Sequence, residues 1–342
     1  MTALIPPVSN RQEPVISVVV PFYNERAVLP ECVARLGRVL AATGLSFEAV
    51  FVDDGSDDGG DQWLAGHCAD KPWIRLVRLS RNFGKEAALT AGLDHARGEA
   101  VIILDADLQD PPECIPAMIR SWRAGADVVL MQRRSRPGET RLKRASAHLY
   151  YRLLRRLSGS RIPVDTGDFR LMSRRAVMAV RRLNERNRYM KGLFAWVGLP
   201  TRVLLYDREE RFAGRSKWGY WRLLGLALEG ITSFSVAPLR WAALVGALAA
   251  TLGAGFGVWI IAKALILGVA VPGYPSLMAW MTFLGGLQLL TIGIVGEYVG
   301  KVYLETKQRP IYLVRDVITP GAVRRRRPRP AATLRLPHAD AG

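Results

Sequence analysis

The stretch "AVIILDADLQDPPE" (residues 100–113) passes from an unbroken apolar run into four carboxylates, Asp105, Asp107, Asp110 and Glu113. Its first half has the length and β-branched content of a strand buried on both faces. Its second half places negative charge at the end of that strand, in a chain of 342 residues whose formal net charge is +18. Such a local excess calls for a cationic partner.

The same figure recurs along the first two thirds of the chain. "VISVVVPF" (15–22) gives way to Tyr23, Asn24 and Glu25, and "FEAVFVDD" (47–54) ends in Asp53 and Asp54, just before Ser56. "IRLVRLS" (74–80) leads to Asn82, and "ADVVLMQ" (126–132) leads to Arg133 and Arg136. Between the first two runs, Val28, Cys32, Leu36 and Leu40 stand at helical spacing within "AVLPECVARLGRVLAA" (27–42). Apolar strands alternating with helices predict an α/β domain on a Rossmann-like, mostly parallel sheet covered on both faces. Ligands of such sheets bind outside the carboxyl ends of the strands, where these polar residues gather.

Their chemistry is consistent. "VDDGSDDGG" supplies carboxylates and a flexible turn suited to base or ribose hydroxyls, while "DADLQD" offers hard oxygen ligands to a divalent cation. Such a cation would neutralise a diphosphate leaving group. Asp110 and Glu113 read differently: "DPPE" predicts a helix start, with Asp110 near the N-cap and Glu113 favourable to the helix dipole.

Cys32, Cys68 and Cys114 are odd in number and form no CxxC pair, and His67, His95, His148 and His338 show no ligand spacing. Neither a disulfide framework nor a thiolate or histidine metal site is expected, and a reduced setting fits. "MTALIPPVSNRQEP" (1–14) does not resemble a secretory signal, so the soluble part is expected in the cytosol.

Residues 241–303 are almost free of charge. A hydrocarbon core roughly 30 Å thick needs about 20 apolar helical residues, and Trp241–Leu267 and Leu277–Tyr303 both qualify. "GVAVPGYPS" turns the chain between them, predicting a helical hairpin. Arg240 before it and Lys301, Lys307 and Arg309 after it place both ends in the cytoplasm by the positive-inside rule, with Lys263 snorkelling at the outer end. "RLKRASAHLYYRLLRRL" (141–157) and "GYWRLLGLALEGITSFS" (219–235) read as helices lying in the membrane interface. The run Arg324–Arg327 lacks the interleaved aromatics of a nucleic-acid binder and suits a tail on anionic lipid. The expected organisation is an N-terminal tail (1–14), a catalytic domain (15–218), an interfacial helix (219–238), a two-helix hairpin (239–305) and a basic cytoplasmic tail (306–342).

Taken together, "VVVPFYNE", "VDDGSDD", "LSRNFGKEAALTAGL", "LDADLQDPPE", "GDFRLMSRRAV" and "REERFAGRSKW", followed by paired membrane helices, resemble the polyprenyl-phosphate glycosyltransferases of glycosyltransferase family 2. The resemblance covers roughly residues 15–310. It implies a GT-A fold, a nucleotide-sugar donor with UDP favoured, Mg2+ or Mn2+, and inverting transfer of one hexose or pentose to a polyprenyl phosphate at the cytoplasmic face of the plasma membrane, for envelope polysaccharide. By motif match it implies that Asp105, Asp107 and Gln109 meet the metal and diphosphate, and that Pro21, Tyr23, Glu25, Asp53 and Asp54 line the nucleotide pocket.

A lipid phosphate is already mostly ionised near neutral pH, its second pKa being about 6, so no strong general base is expected. Arg133 and Arg136 are candidates for the acceptor phosphate, and Arg211 and Lys217 for a lid over the donor diphosphate. Asp168 of "GDFRLM" is the candidate for orienting acceptor or sugar, the alternative being a structural carboxylate paired with Arg170. Two rival readings stay open: a processive polysaccharide synthase, whose QxxRW signature is absent, and an inactive membrane-tethered nucleotide-binding protein. Small residues such as Gly253, Gly257, Gly285 and Gly286 could pack hairpins between subunits of a homo-oligomer.

Overall fold

The computed structural model describes residues 13–134, 166–186, 188–209, 232, 235–267 and 273–319. In chain order these form β1 (Ile16–Phe22), α1 (Leu29–Ala42), β2 (Phe47–Asp53), α2 (Gly60–His67), β3 (Ile74–Leu79), α3 (Lys85–His95) and β4 (Ala100–Ile103). A 3-10 turn (Pro112–Cys114) precedes α4 (Ile115–Arg123), β5 (Val128–Arg133), β6 (Thr166–Ser173), α5 (Arg174–Arg181), α6 (Met190–Trp196) and β7 (Thr201–Tyr206). Then come α7 (Ala237–Leu267), α8 (Tyr274–Thr306) and β8 (Val314–Ile318).

All eight strands join one sheet in the order β7-β5-β6-β4-β1-β2-β3-β8. Pairing is parallel between β1 and β2, β1 and β4, β2 and β3, and β5 and β7. It is antiparallel where β6 enters between β4 and β5, and where β8 closes the edge of β3. The sheet is therefore mixed, with a parallel centre and two reversed strands. β6 reads poorly as a strand because Asp168 and Arg170 interrupt its apolar run. β8 lies within the stretch expected to be a basic tail, which at residues 314–318 is an edge strand.

Both faces are covered, as strand burial on two sides requires. Val18 and Val20 pack with Leu36 of α1, Leu64 of α2 and Met118 of α4, whereas Val19 between them packs on the other face with Leu89 of α3 and Val177 of α5. That alternation is the period of two of a β-strand. α3 lies unusually close to β1, since a Cβ added at Gly92 would come within 2.2 Å of Val19 Cγ1.

β4 is shorter than its apolar run suggests. It ends at Ile103, and Leu104 N still donates to Val19 O at 3.0 Å before the chain leaves the sheet. The carboxylates thus stand on a turn beyond the strand, with Leu108 in the left-handed region at φ 57°.

α7 and α8 are 31 and 33 residues long, and Ala237–Lys263 and Phe283–Thr306 within them are long and apolar enough to cross a membrane. Leu244, Leu248, Ile261, Leu289 and Ile292 among others are exposed along them. The stretches 141–157 and 324–327 lie outside the described residues, as do 219–231 of the second expected interfacial helix.

Candidate active site

The reversal of β6 builds the site. Because β6 runs antiparallel to β4, with Ile103 opposite Arg170, Asp105 two residues after Ile103 and Asp168 two residues before Arg170 lie at the same end of the pair. The two carboxylates reach the same rim from opposite directions. Lys85, the first residue of α3, joins them: its Nζ lies 2.7 Å from Asp105 Oδ2 and 2.6 Å from Asp168 Oδ2.

Asp168 and Lys85 hold each other ionised. Burial would raise the Asp168 carboxyl, but Lys85, Lys191 and Arg170 outweigh it and keep it well below the usual carboxylate range. Burial would likewise lower the Lys85 ammonium, but Asp105 and Asp168 raise it instead. Asp168 is therefore a fixed negative charge rather than a proton reservoir. Its side-chain partner is Lys85, not Arg170, whose guanidinium donates to the Asp168 and Gly167 carbonyl oxygens at 3.2 and 2.9 Å. The side-chain ion pair with Arg170 expected in the structural alternative is thus not formed.

On the turn after β4, Asp107 Oδ1 accepts from Gln109 N at 3.2 Å. Gln109 Oε1 accepts from Arg208 Nη2, and Gln109 O accepts from Glu209 N at 3.0 Å. Glu209 in turn shares Arg35 with Glu113, at 2.5 and 2.7 Å. The turn is thereby tied to the segment following β7.

Asp105 Oδ1 is buried without a hydrogen-bond partner, an arrangement that disfavours an unaccompanied carboxylate. With Asp107 two residues on, this makes a donor set of hard oxygens, which fits Mg2+ or Mn2+; Mg2+ in particular takes one or two carboxylates and completes its shell with water and substrate phosphates. Among the described residues no group of three His, Cys, Asp or Glu could hold a metal ion by itself. A cation here would be shared with a ligand.

Asp110 does not cap the following helix. It is 2 % exposed, accepts from the Tyr206 hydroxyl and lies 4.0 Å from Arg133 Nη2. The parallel register of β5 and β7, which sets Arg133 opposite Tyr206, brings this trio together. Arg133 Nε also donates to the Tyr206 hydroxyl oxygen at 3.3 Å, and a Cβ at Gly167 would lie 3.3 Å from Arg133 Nη2. Arg133 thus sits over the residue preceding Asp168.

On the β1 and β2 side, Pro21 is buried, Tyr23 is exposed, and Asp53 is buried with Oδ1 accepting from Ser56 N at 2.9 Å. Ser56 Oγ accepts from Asn24 N at 3.0 Å and Asn24 Oδ1 from Asp57 N at 3.0 Å, lacing the two loops. Beside them a cleft of about 400 Å³ opens, lined by Asn24, Glu25, Arg26 and Asp58 among others. Asp54, expected at the nucleotide pocket, also holds the neighbouring loop. Its oxygens accept from Phe83 N and Gly84 N at 2.8 and 2.9 Å, fixing the loop before α3. Gly55 allows this closeness, since at φ 73° a Cβ would lie 2.5 Å from the Arg81 carbonyl carbon.

Arg136, Arg211 and Lys217 lie outside the described residues. Sequence reasoning missed Lys85, Tyr206 and the role of Asp110. For Lys85 a signal existed: a cation opening a helix stands against the helix dipole and needs another reason.

The glycosyl transferase family 2 model matches residues 17–181. The chain is 48% identical over 302 residues to an uncharacterized glycosyltransferase of Synechocystis, covering 88% of this chain and 95% of that one. It is 45% identical over 302 residues to the prophage bactoprenol glucosyl transferase homolog of Escherichia coli, covering 88% and 99%. It is 46% identical over 301 residues to the bactoprenol glucosyl transferase of Shigella phage SfV, covering 88% and 98%. Among solved structures, glucosyl-3-phosphoglycerate synthase from Mycobacterium tuberculosis aligns at TM-score 0.45 with 20% identity, over 64% of this chain and 78% of that one.

Proposed function

The chain belongs to glycosyl transferase family 2, and on that footing we propose that it moves a single sugar from a UDP-sugar to a polyprenyl phosphate, with inversion, at the cytoplasmic face of a membrane. Glucose is the first sugar to test, because relatives 45 and 46% identical carry the name bactoprenol glucosyl transferase. The observation that carries the reading is the Asp105–Lys85–Asp168 bridge at the strand ends, with one buried Asp105 oxygen left unpartnered.

The residues divide the work by charge. Tyr23, Glu25 and Asp53 border the crevice on the nucleotide side, with Pro21 beneath them in β1. Asp105 and Asp107, with Gln109 beside them, would hold Mg2+ or Mn2+, which when bound supplies positive charge to a diphosphate leaving group. Arg133, positioned by Asp110 and Tyr206, offers its fork to the acceptor phosphate, and Arg136 is its proposed companion. Arg211 and Lys217 are proposed to close over the donor. Asp168, kept ionised, orients the sugar or acceptor and repels a misplaced phosphate. The acceptor phosphate arrives ionised, so positioning and charge dominate over proton removal.

α7 and α8 are proposed to cross the membrane with both ends cytoplasmic, on the strength of the basic flanks Arg240, Lys301, Lys307 and Arg309. The site then opens on the leaflet where a lipid phosphate lies. The deciding experiment offers a panel of nucleotide sugars with undecaprenyl phosphate to the purified protein in detergent, with and without chelator. One sugar per lipid, lost on chelation and restored by Mg2+ or Mn2+, is expected. A polymer product, turnover indifferent to chelator, or nucleotide binding without any transfer would overturn the reading.

A further inference from the structure

We propose that Lys85 is a site residue in its own right: its ammonium holds the place between Asp105 and Asp168 until a divalent cation arrives, and then turns to the donor diphosphate. This rests on the preceding reading of Asp105 and Asp107 as cation ligands.

The position of Lys85 has no local justification. It is the first residue of α3, where the helix dipole disfavours positive charge. What the position provides is reach. The side chain is 46% exposed, and its Nζ meets Asp105 and Asp168 at 2.7 and 2.6 Å, so it emerges into the crevice and touches a residue of each half of the rim.

Its base, by contrast, is fixed. Asp54 accepts from Phe83 N and Gly84 N, and Gly84 at φ 95° turns the chain into α3. Only the four-carbon stem is free to swing, which suits an ammonium, a compact charge with three rotatable donors.

Lys85 also leaves Asp105 incompletely satisfied. It meets Oδ2, while Oδ1 is buried and unpartnered. A divalent cation at Asp105 and an ammonium 2.7 Å from the same carboxylate repel each other. A diphosphate arriving with the cation brings new acceptor oxygens within the same crevice. Exchange of Lys85 from Asp105 to phosphate relieves the repulsion and adds charge to the leaving group, while Asp168 keeps the stem on its side of the rim. The lysine thereby links arrival of the cation to capture of the donor.

The test measures binding, not turnover, on the full chain in lipid nanodiscs: Mn2+ by electron paramagnetic resonance, then UDP at saturating Mn2+. Wild type, Lys85→Met and Lys85→Arg are compared. A charge-assisted hydrogen bond is worth about 1.5–3 kcal/mol, or roughly tenfold and more in affinity. Lys85→Met should therefore bind Mn2+ several-fold more tightly without nucleotide, yet bind UDP about tenfold more weakly. Lys85→Arg should recover most of the UDP affinity. A general loss of structure would weaken both ligands together, so the opposite signs carry the proposal. Mn2+ affinity unchanged or weakened in Lys85→Met, or UDP affinity unchanged, overturns it. A wild type that binds no Mn2+ sinks the cation reading and this inference with it, whereas Mn2+ bound identically by wild type and Lys85→Met sinks this inference alone.

Discussion

Glu86 follows Lys85, and its Oε2 accepts from Met190 N at 3.2 Å. Burial, with the Asp168 charge beside it, raises its carboxyl from an ordinary value near 4.5 to about 7, Lys85 opposing. A raised carboxyl means that between about pH 4.5 and 7 the folded protein keeps a proton the unfolded chain has released. Stability from this group is therefore present at low pH, declines as pH rises through that window, and is gone above it. Glu86→Gln, which retains an acceptor for Met190 N, should melt with the wild type at about pH 4, below that window, and above the wild type at about pH 8; equal melting curves at both would refute the assignment. Asp168 works in the opposite sense, as a permanent charge. Asp168→Asn should cut turnover by about two orders of magnitude, in the range of a lost preorganised charge, while leaving Mn2+ binding in place; loss of Mn2+ binding would instead make it a ligand. Asp105, Asp107 and Asp168 could be singled out in the sequence because each stands in a recognisable motif. Lys85 and Asp110 were not, since their partners are 20, 83 and 96 residues distant and only the strand register brings them close.

At the scale of elements, the helix–sheet contact of α3 is the most exacting. Its buried face is Ala87, Ala88, Leu89, Thr90, Ala91, Gly92 and Leu93, mostly small residues that let the helix lie close to β1. Gly92→Ala places a methyl 2.2 Å from Val19 Cγ1, so the helix or the strand must shift. Overpacking of this kind costs about 1–3 kcal/mol, and a lowered unfolding midpoint in denaturant checks it. Because α3 begins with Lys85, the same variant should weaken UDP binding, whereas a substitution on the exposed face of α1 should not. The parallel strands β1 to β4 were readable from their apolar runs, buried on both faces and ending in polar residues. β6, β7 and β8 were not readable in this way. β6 carries Asp168 and Arg170 inside the strand, and Val203 and Leu205 of β7 are exposed, so neither shows the clean pattern of a buried strand. β8 is five residues, "VRDVI", two of them charged, and is bounded by basic segments. Its identity depends on pairing with β3, where Arg78 stands opposite Asp316 and their side chains lie 3.5 Å apart.

For the whole molecule, β8 turns the hairpin into something other than an anchor on a leash. The chain leaves α8 and returns at once to the catalytic sheet. Glu305 near the end of α8 accepts from Arg186 N at 2.8 Å, and the Arg309 carbonyl accepts from Arg186 Nη1 at 2.6 Å. The Tyr312 hydroxyl donates to Asp94 Oδ2 at 2.8 Å, and Arg315 meets Asp61 at 3.2 Å. With the hairpin in the bilayer as proposed, these ties set the height of the crevice above the lipid headgroups. A fixed height matters for one substrate only: a polyprenyl phosphate held in the membrane can present its phosphate over a narrow range of depths, while a short-chain, water-soluble prenyl phosphate diffuses to the site whatever its height. Glu305→Ala combined with Tyr312→Phe loosens the return without touching Lys85, Asp105, Arg133 or Asp168. Turnover with the soluble acceptor should stay at the wild-type level, and turnover with undecaprenyl phosphate in nanodiscs should fall several-fold, since a misplacement of about 1 Å can cost a factor of up to 100. Equal losses on both acceptors would mean that the returning strand supports the fold of the catalytic sheet and does not set its distance from the lipid.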